Sequence, residues 1–452
     1  MFSKILIANR GEIACRVARA ARALGVKTVA VYSDADQGAL HVQACDEAVR
    51  LGPPPARESY LDIGKVLAAA KQTGAQAIHP GYGFLSEQAD FAQACAAAGI
   101  VFVGPPPEAM RALKDKAQAR AVMRDAGVPV VPGSDGHVGE EGAAKAAAAS
   151  VGFPLLVKAA AGGGGIGMQV ARDEGELMKA LRACADRARA SFGKDAVYLE
   201  RYFELPRHVE VQILGDGHLT LAIGARECSI QRRHQKIIEE GPATAFVLPT
   251  PRPALLHKLL DAGLKAARAV GYANAGTCEF LLVGDDFYFI ELNARLQVEH
   301  PVTEATTGLD LVQLQLRIAA GEHLPIGQDD LPPRGHAIEC RINAEDPVKF
   351  FPSPGKVLRF DTPVPADGAF HDGIRIDAGY RAGDTVTPFY DSLLAKIIAH
   401  APTRGEAIAR LRTALRSFVV EGIKTNLPLH EKVLASEAFA RGALDTHFLE
   451  RL

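Results

Sequence analysis

The stretch "GDDFYFIELNARLQVEHP" (284–301) passes from an apolar strand pattern into a dense group of polar side chains. Phe287 to Ile290 suit the interior of a buried strand. Because successive side chains of a strand point to opposite faces, Glu291 and Asn293 lie on the same face. The polar residues that crowd the exit of this strand are Glu291, Asn293, Arg295, Gln297, Glu299 and His300. The pattern indicates a functional site where the strand ends.

The residues before this strand predict its partner in an antiparallel hairpin. "GTCEFLLVGDDFYFIELN" (276–293) contains two apolar runs around the turn "GDD" (284–286). Pairing about that turn makes Glu279 and Glu291 cross-strand neighbours, and two facing carboxylates cost on the order of 1 kcal/mol unless one is protonated or a cation intervenes. Mg²⁺ is commonly held by one or two carboxylates. The hairpin therefore predicts a divalent cation site, with exposed carboxylates in ordinary salt bridges as the alternative.

The first hundred residues alternate between short apolar runs and Ala-rich helical stretches. The runs are "KILIAN" (4–9), "TVAVYS" (28–33), "AQAIHP" (75–80) and "IVFVG" (100–104), with helices expected at 12–24 and 61–73. This alternation predicts an α/β region with a doubly wound parallel sheet. The proline-rich "GPPPEAM" (104–110) marks its end.

The remainder of the chain has a different texture. A helix is expected at 114–127, then strand, glycine loop and strand in "FPLLVKAAAGGGGIGMQVA" (153–171), and a helix opened by Asp173 and Glu176. Antiparallel strand pairs are expected in 196–203, 207–227 and 276–293, and a β-rich segment with a helix around 404–418 begins near 331. We therefore place domain boundaries near 113/114 and 330/331.

The glycine loop "GGGGIG" (162–167) formally matches the dinucleotide motif G-x-G-x-x-G. A dinucleotide fold needs a helix directly after the loop, whereas "MQVA" is a second strand, so the context argues against a Rossmann site. A glycine loop in a hairpin can instead lie over phosphate oxygens with its backbone N–H groups, and Lys158 lies just upstream. The alternative is a loop that is merely flexible.

Composition excludes several classes of function. The 452 residues carry 51 basic and 53 acidic side chains, a formal net charge of −2, which gives no electrostatic case for nucleic acid or an anionic membrane. No apolar run reaches the 18 residues of a membrane span, and the N-terminus lacks a signal or transit pattern. The seven scattered cysteines favour reduced thiols and a cytoplasmic location.

Seven separated motifs make the whole chain resemble biotin carboxylase, an ATP-grasp enzyme. They are "ILIANRGEIACRV" (5–17), "HPGYGFLSE" (79–87), "KAAAGGGGIGM" (158–168), "RHVEVQ" (207–212), "QRRHQKIIEE" (231–240), "IELNARLQVEHPVTE" (290–304) and "ECRINAED" (339–346). The resemblance implies an N-terminal α/β domain over 1–113, an ATP-grasp region over 114–330 with a lid over about 131–203, and a β-rich C-terminal domain over 331–452.

The resemblance also implies a reaction, its cofactors and its partners. ATP and bicarbonate would form carboxyphosphate, and N1′ of biotin on a carrier protein would then be carboxylated, with Mg²⁺ or Mn²⁺ as the metal. The expected partners are a biotin carboxyl carrier protein or domain, the carboxyltransferase of a biotin-dependent acyl-CoA carboxylase, and a second copy in a homodimer. The chain would be a free subunit or the N-terminal part of a longer α-chain.

Each site residue implied by the resemblance has a stated role. ATP would be bound by Lys116, Lys158, Gly163, Gly164, Gly165, Met168, Glu200, Phe203, His208, Gln231, His234 and Leu281. Bicarbonate would meet Lys236, Arg295, Gln297, Val298 and Glu299, and biotin would meet Tyr82 and Arg341. The metal would be held by Glu279, Glu291 and Asn293.

The chemistry of four of these residues suits catalysis. Glu299 can remove the proton of bicarbonate, and Lys236 can offset charge on the transferring phosphoryl group. Arg295 can grip a planar anion with two parallel hydrogen bonds. Arg341 can stabilise the enolate-like oxygen of deprotonated biotin.

Three further expectations complete the sequence interpretation. Glu12, in "NRGEIA", is expected to cap the first helix rather than to act in chemistry. Ile166 stands where the resembled enzymes often carry Arg or Lys, which puts nucleotide affinity or lid closure in doubt. The alternatives are another ATP-grasp ligase of the carbamoyl-phosphate type, which would not need Tyr82 and Arg341, and a catalytically silent nucleotide-binding scaffold.

Overall fold

The computed structural model of the chain describes residues 1–139, 141–160, 168–193, 195–233, 235–244 and 252–452. Twenty strands lie in this part of the chain. They are β1 (Lys4–Ile7), β2 (Lys27–Ser33), β3 (Glu47–Gly52), β4 (Ala77–His79), β5 (Val101–Phe102), β6 (Leu155–Ala159), β7 (Met168–Ala171), β8 (Val197–Arg201), β9 (Arg207–Gly215), β10 (Thr220–Arg232), β11 (Gln235–Gly241), β12 (Asn274–Val283), β13 (Asp286–Asn293), β14 (His336–Asn343), β15 (Gly355–Lys356), β16 (Arg359–Asp361), β17 (Ile374–Ala378), β18 (Thr385–Val386), β19 (Leu393–Ala401) and β20 (Val419–Glu421).

The α-helices of the described residues are numbered in the same way. They are α1 (Gly11–Ala23), α2 (Leu40–Ala44), α3 (Ile63–Thr73), α4 (Ala89–Ala97), α5 (Pro107–Lys114), α6 (Lys116–Asp125), α7 (Glu141–Val151), α8 (Glu174–Phe192), α9 (Pro253–Ala269), α10 (His300–Thr307), α11 (Leu311–Ala319), α12 (Arg404–Arg416), α13 (Leu427–Ala435) and α14 (Glu437–Ala440).

The N-terminal sheet is parallel throughout, in the strand order β3-β2-β1-β4-β5. The prediction of a doubly wound parallel sheet is therefore confirmed. The edge strand β3 was not expected from the sequence, because its first four residues are exposed or half-buried and show no apolar alternation. The proline run at 104–110 contains the start of α5, with Pro107 in its first turn.

A small antiparallel sheet, β7-β6-β8, carries the segment around the glycine loop. Helix α8 packs on it and begins as predicted, because the Asp173 carboxylate accepts from the backbone N–H of Glu176 at 2.8 Å. The Glu176 carboxylate accepts from the N–H of Arg172 rather than from that of Asp173, so the capping box is shifted by one residue.

The central sheet has eight strands in the order β13-β12-β9-β10-β11-β14-β19-β17, with antiparallel pairing between neighbours. Its strands come from both sides of residue 330, since β11 pairs directly with β14. The two hairpins predicted in 207–227 and 276–293 are confirmed as β9–β10 and β12–β13. The domain boundaries themselves remain predictions.

The apolar interior is divided among the sheets. One cluster joins Ile237 and Ile238 of β11 to Ile338 and Ile342 of β14 and to the helix α12 residue Leu411. A second cluster packs α9 against β9, β12 and β13. Among the described residues, every helix is too short or too polar to traverse a lipid bilayer. The chain thus has a mixed α/β fold whose central sheet contributes side chains to both clusters.

Candidate active site

The β12–β13 hairpin brings two carboxylates together as the sequence predicted. Glu279 and Glu291 are directly paired across the two strands, and a bulge follows between Glu279 and Phe280. The Nδ2 of Asn293 donates to Glu279 at 2.9 Å and to Glu291 at 3.4 Å. All three side chains therefore meet at one place on the sheet.

This donor set fits a hard divalent cation. Burial raises the pKa of Glu291, and the facing Glu279 carboxylate adds to that effect, but the ammonium groups of Lys116 and Lys158 together outweigh both and the pKa is lowered. Burial also opposes ionisation of Glu279, yet Lys236 and His208 hold its pKa below the ordinary value. Two ionised carboxylates are ligands of the kind that Mg²⁺ prefers, whereas the oxygen of Asn293 accepts from Arg295 and its Nδ2 faces the carboxylates.

Lys236 of β11 connects the metal-ligand candidates to the rest of the site. Its Nζ donates to Glu210 at 2.5 Å, to Glu299 at 2.7 Å and to Glu279 at 2.9 Å. Burial lowers the pKa of this ammonium, but the three carboxylates outweigh burial and raise it well above the ordinary value. Lys236 is therefore a fixed positive charge at the centre of the site.

The turn after β13 carries two side chains that fix each other. Arg295 donates through Nη1 to Gln297 at 2.8 Å and through Nη2 to Asn293 at 3.0 Å. Gln297 in turn donates to Glu279 at 2.8 Å. The guanidinium is thus held in one orientation beside the paired carboxylates.

Glu299, immediately before α10, is completely buried, with 0% of its surface exposed. Its two oxygens accept from Lys236 at 2.7 Å and from Arg341 at 2.9 Å. Burial alone would raise the pKa of Glu299, but the charges of Lys236, Arg341 and Arg226 outweigh it and place the pKa well below the ordinary value. Glu299 is held as a carboxylate between two cations.

Arg341 of β14 lies between two carboxylates. It donates to Glu239 of the neighbouring strand at 2.6 Å as well as to Glu299. Burial raises the pKa of Glu239 to about 7, against the charge of Arg341. Glu339 pairs with Glu239 across the strands, and burial raises its pKa well above the ordinary value.

Tyr82 meets an unexpected partner. Its hydroxyl donates to Glu12, which also lies 3.2 Å from Lys396 of β19. The expectation that Glu12 caps α1 is wrong, because the N-cap of that helix makes no side-chain hydrogen bond and the carboxylate turns toward Tyr82 and Lys396. Sequence position could not show this, since both partners lie far away along the chain.

The residues expected at the nucleotide form several smaller groups. Lys158 donates to Glu200 at 2.8 Å, and Lys116 donates to Glu291 at 2.9 Å. His208 lies 2.9 Å from Glu279 and 2.6 Å from Gln231. The ring of Phe203 stacks on that of Tyr288 with centroids 5.2 Å apart, while Met168 begins β7 and Leu281 lies half-buried on β12.

Some of the expected nucleotide contacts lie outside the described residues. They are Gly163, Gly164, Gly165 and His234, together with the neighbouring Ile166. Their roles remain predictions.

A cavity of about 710 Å³ joins most of the remaining positions. The residues of the sequence prediction that line it are Tyr82, His208, Lys236, Glu279, Glu291, Asn293, Arg295, Gln297, Val298 and Arg341. They come from the N-terminal sheet region, from β9 to β13 and from β14, so only the folded chain brings them together. Glu299 does not itself line the cavity, but it accepts hydrogen bonds from two residues that do, Lys236 and Arg341.

Sequence reasoning missed several charged residues that hold this arrangement. Arg226 donates to Glu210 at 2.5 Å beneath Lys236, and Lys396 donates to the backbone oxygen of Val298 at 2.8 Å. Glu239 and Glu12 complete the set. The available signal was charged residues inside apolar strand patterns, as in "RHVEVQ" and "LLAKIIAHA".

Three family models match consecutive parts of the chain. "Biotin carboxylase, N-terminal domain" matches residues 1–110, "Carbamoyl-phosphate synthase L chain, ATP binding domain" matches 115–327, and "Biotin carboxylase C-terminal domain" matches 339–451.

Similar proteins cover the full chain. The biotin carboxylase of Pseudomonas aeruginosa is 50% identical over 100% of this chain and 98% of its own length. The biotin carboxylase of Halalkalibacterium halodurans is 51% identical over 99% of this chain and 97% of its own length.

Solved structures agree with these relatives. A biotin carboxylase–β,γ-ATP complex from Campylobacter jejuni superposes with a TM-score of 0.95 at 42% identity, covering 100% of this chain and 99% of that one. The biotin carboxylase domain dimer of the Hydrogenobacter thermophilus 2-oxoglutarate carboxylase, in complex with MgADP, ADP and bicarbonate, has a TM-score of 0.93 at 44% identity, covering 100% and 98%.

Proposed function

This chain belongs to the biotin carboxylase family and catalyses the ATP-dependent carboxylation of biotin with bicarbonate, and we propose that both chemical steps take place in the 710 Å³ cavity. The observation that carries this assignment of the site is the placement of Glu299. Its carboxylate is bonded to Lys236, which also holds Glu279, and to Arg341. One buried base thus adjoins both the metal-ligand candidates and the arginine proposed to meet biotin.

Glu299 is the proposed base that deprotonates bicarbonate as it attacks the γ-phosphorus. With both cations in place its pKa is well below the ordinary value, so it is ionised at neutral pH but weakly basic. When Lys236 and Arg341 turn their charge toward phosphate and the biotin oxygen, Glu299 loses that stabilisation and becomes a stronger base. Substrate binding and base strength are coupled in this way.

The anionic substrates are proposed to replace carboxylates as partners of the cations. Lys116 and Lys158, now paired with Glu291 and Glu200, would contact phosphates, and Lys236 would offset charge on the transferring group. Arg295, Gln297 and Val298 would bind bicarbonate, because the guanidinium is already oriented by Gln297 and Asn293.

The metal is proposed to be held by side chains of the paired strands. Glu279 and Glu291, with Asn293 beside them, would hold Mg²⁺, which would supply positive charge against the charge that develops on the phosphates. This chain's part in that step is to keep both carboxylates ionised, which Lys116, Lys236 and His208 do.

Biotin is proposed to approach from the side of Tyr82 and Arg341. The guanidinium of Arg341 would stabilise the oxygen that becomes enolate-like when N1′ loses its proton. The base of the nucleotide would lie near Phe203, Leu281, Glu200 and Met168, with His208, Gln231 and His234 toward the ribose and phosphates.

The partners and setting extend this proposal. A biotin carboxyl carrier protein or domain would present biotin, a carboxyltransferase would use the product, and a second copy would form a homodimer. The alpha chain of the rice mitochondrial methylcrotonoyl-CoA carboxylase supports the first two, since this chain matches 60% of its length at 48% identity. The seven cysteines are free thiols, which supports a cytoplasmic location. We also propose the domain division 1–113, 114–330 and 331–452.

The test is to follow ADP release and the transfer of labelled bicarbonate to biotin in the same reaction. We expect ADP release to require bicarbonate and Mg²⁺ and to rise when biotin or a biotinylated carrier is added. A carbamoyl-phosphate-type ligase would give bicarbonate-dependent ADP release that biotin does not change. A nucleotide-binding scaffold would bind ATP without turnover, and either result would contradict the proposal.

A further inference from the structure

Glu12 is buried with only one of its oxygens engaged. The residue is 3% exposed, its Oε1 accepts from the Tyr82 hydroxyl and lies 3.2 Å from the Nζ of Lys396. Its Oε2 has no hydrogen-bond partner among the described residues. A carboxylate is costly to bury, so the contacts of Glu12 with Tyr82 and Lys396 need a structural or functional explanation.

Lys396 continues the contact into the catalytic turn. It is 0% exposed, and its Nζ donates to the backbone oxygen of Val298 at 2.8 Å. Val298 precedes Glu299, and both Val298 and Glu12 line the cavity. A chain of contacts thus runs from Tyr82 through Glu12 and Lys396 to the backbone beside Glu299.

The other charged groups near Glu12 are engaged with one another rather than with Glu12. Asp377 of β17 pairs with Lys396 across the sheet, but its carboxylate accepts from Arg19 at 2.8 Å and from Arg375 at 2.6 Å. Burial raises the pKa of Glu12, and Lys396 is the strongest influence in the opposite direction. Lys396 is therefore the cation that matches Glu12.

We propose that Glu12 and Lys396 are positioning residues that tie the Tyr82 hydroxyl to the Val298–Glu299 turn, so that biotin binding and placement of the catalytic base are set together. The inference rests on the proposed role of Tyr82 at biotin. Glu12 acts through Tyr82, and Lys396 acts through the Val298 carbonyl. Neither is assigned contact with a reacting atom.

The experiment compares Glu12→Asp, Tyr82→Phe and the double variant. Shortening Glu12 by one methylene keeps a charge for Lys396 but withdraws the acceptor from the Tyr82 hydroxyl. We expect Glu12→Asp to raise KM for free biotin about tenfold, while ADP release that depends on bicarbonate without biotin falls far less. The double variant should be no worse than Tyr82→Phe alone, because both changes remove the same hydrogen bond.

Lys396→Met tests the other end of the contact chain. It leaves the Val298 oxygen without its donor, so we expect KM for bicarbonate to rise together with KM for biotin. The matched control is Glu240→Gln, which removes a buried carboxylate bonded to Arg404 at 2.6 Å and His336 at 2.7 Å, away from the cavity. The control should lower the unfolding temperature without changing either KM.

Several results would overturn the inference. They are an unchanged KM for biotin in folded Glu12→Asp, additive losses in the double variant, and equal effects in Glu240→Gln. If Glu12→Asp fails to fold, Tyr82→Phe and Lys396→Met still test the inference. Both variants must then raise KM for biotin, and an unchanged KM in either one contradicts the inference. Failure of the proposed function is distinct, since the unmodified protein would then show no biotin dependence at all.

Discussion

The buried glutamates around Lys236 and Arg341 differ in pKa, and the cations that each one contacts explain why. Glu279 and Glu299 each touch at least two cationic or protonatable groups, and their pKa values are lowered. Glu239 shares Arg341 with Glu299, and its pKa is raised to about 7. At the scale of the residue, the cations in contact with each carboxylate set its pKa and so determine which carboxylates are ionised and can serve as bases.

The first prediction concerns Glu299→Gln. The amide keeps the size of the side chain but cannot take a proton from bicarbonate, so we expect turnover to fall at least about a hundredfold, the usual contribution of a general base. ATP binding should change little, because Glu299 contacts protein cations rather than the expected nucleotide positions. An assay of ADP release would measure turnover, and titration with nucleotide would measure ATP binding. Loss of nucleotide affinity with normal turnover of bound ATP would remove Glu299 from the role of base.

The second prediction concerns the pH dependence of stability at His430. This residue of α13 is buried, its Nε2 lies 2.7 Å from the carbonyl oxygen of Arg341, and burial lowers its pKa from 6.5 to about 4. As pH falls below 6.5 the unfolded chain binds a proton that the folded chain does not, so the native state loses stability.

His430→Gln can keep the hydrogen bond but does not titrate. We expect the variant to be less stable than the unmodified protein at pH 7.5. Between pH 7.5 and pH 5 this difference in the free energy of unfolding should become smaller by up to about 2 kcal/mol, because only the unmodified protein is destabilised by acid at this position. Urea unfolding of both proteins at the two pH values measures this difference. A difference that stays constant with pH would contradict the assigned shift.

At the scale of the element, the β12–β13 hairpin shows what local pattern can predict. The turn residues and the alternation of apolar side chains were enough to pair Glu279 with Glu291 correctly. The bulge after Glu279 was not predicted, because the turn residues and the alternation do not show where the edge strand β13 takes up an extra residue, Ile290, while β12 keeps an unbroken register with β9. Edge strand β3 was missed for a similar reason, since partner strands rather than its own side chains hold it in place.

The third prediction tests the metal site through this hairpin. Glu291→Gln removes one charged oxygen ligand, so we expect the Mg²⁺ concentration for half-maximal activity to rise about tenfold or more. Asp286→Asn, the same chemical change at the exposed start of β13, is the matched control and should leave the titration unchanged. An equal response in both variants would exclude a metal ligand at Glu291.

At the scale of the whole molecule, contacts between distant segments complete the site. The loop after β17 approaches the start of α1 so closely that a Cβ on Gly379 would lie 2.4 Å from the backbone nitrogen of Glu12. The sequence could not predict such contacts, nor the pairing of β11 with β14, because they join residues far apart along the chain. Only the resemblance to known enzymes anticipated that Tyr82, Glu299 and Arg341 would meet.

The fourth prediction is that Gly379→Ala destabilises the protein by about 1–3 kcal/mol, as overpacking usually does. The first turn of α1 must move to admit the methyl group, and Glu12 moves with it, so affinity for biotin should fall as well. Thermal unfolding and KM for biotin measure the two effects.

Gly405→Ala is the control for that change. Gly405 lies in α12, and a Cβ there would meet nothing within 4 Å, so alanine should be neutral or slightly stabilising. If Gly379→Ala behaves like Gly405→Ala, the close approach of the two segments is not what holds α1 in place.

The shared eight-stranded sheet also limits how this polypeptide can be dissected in the laboratory. An expression fragment that stops before residue 336, or starts there, would separate β11 from β14 and leave an open row of backbone amides and carbonyls on each piece. The isoleucines that β11 and β14 bury against each other would face water at the same time. We expect such fragments to aggregate. Crystallography and protein engineering should therefore use a polypeptide that contains both β11 and β14.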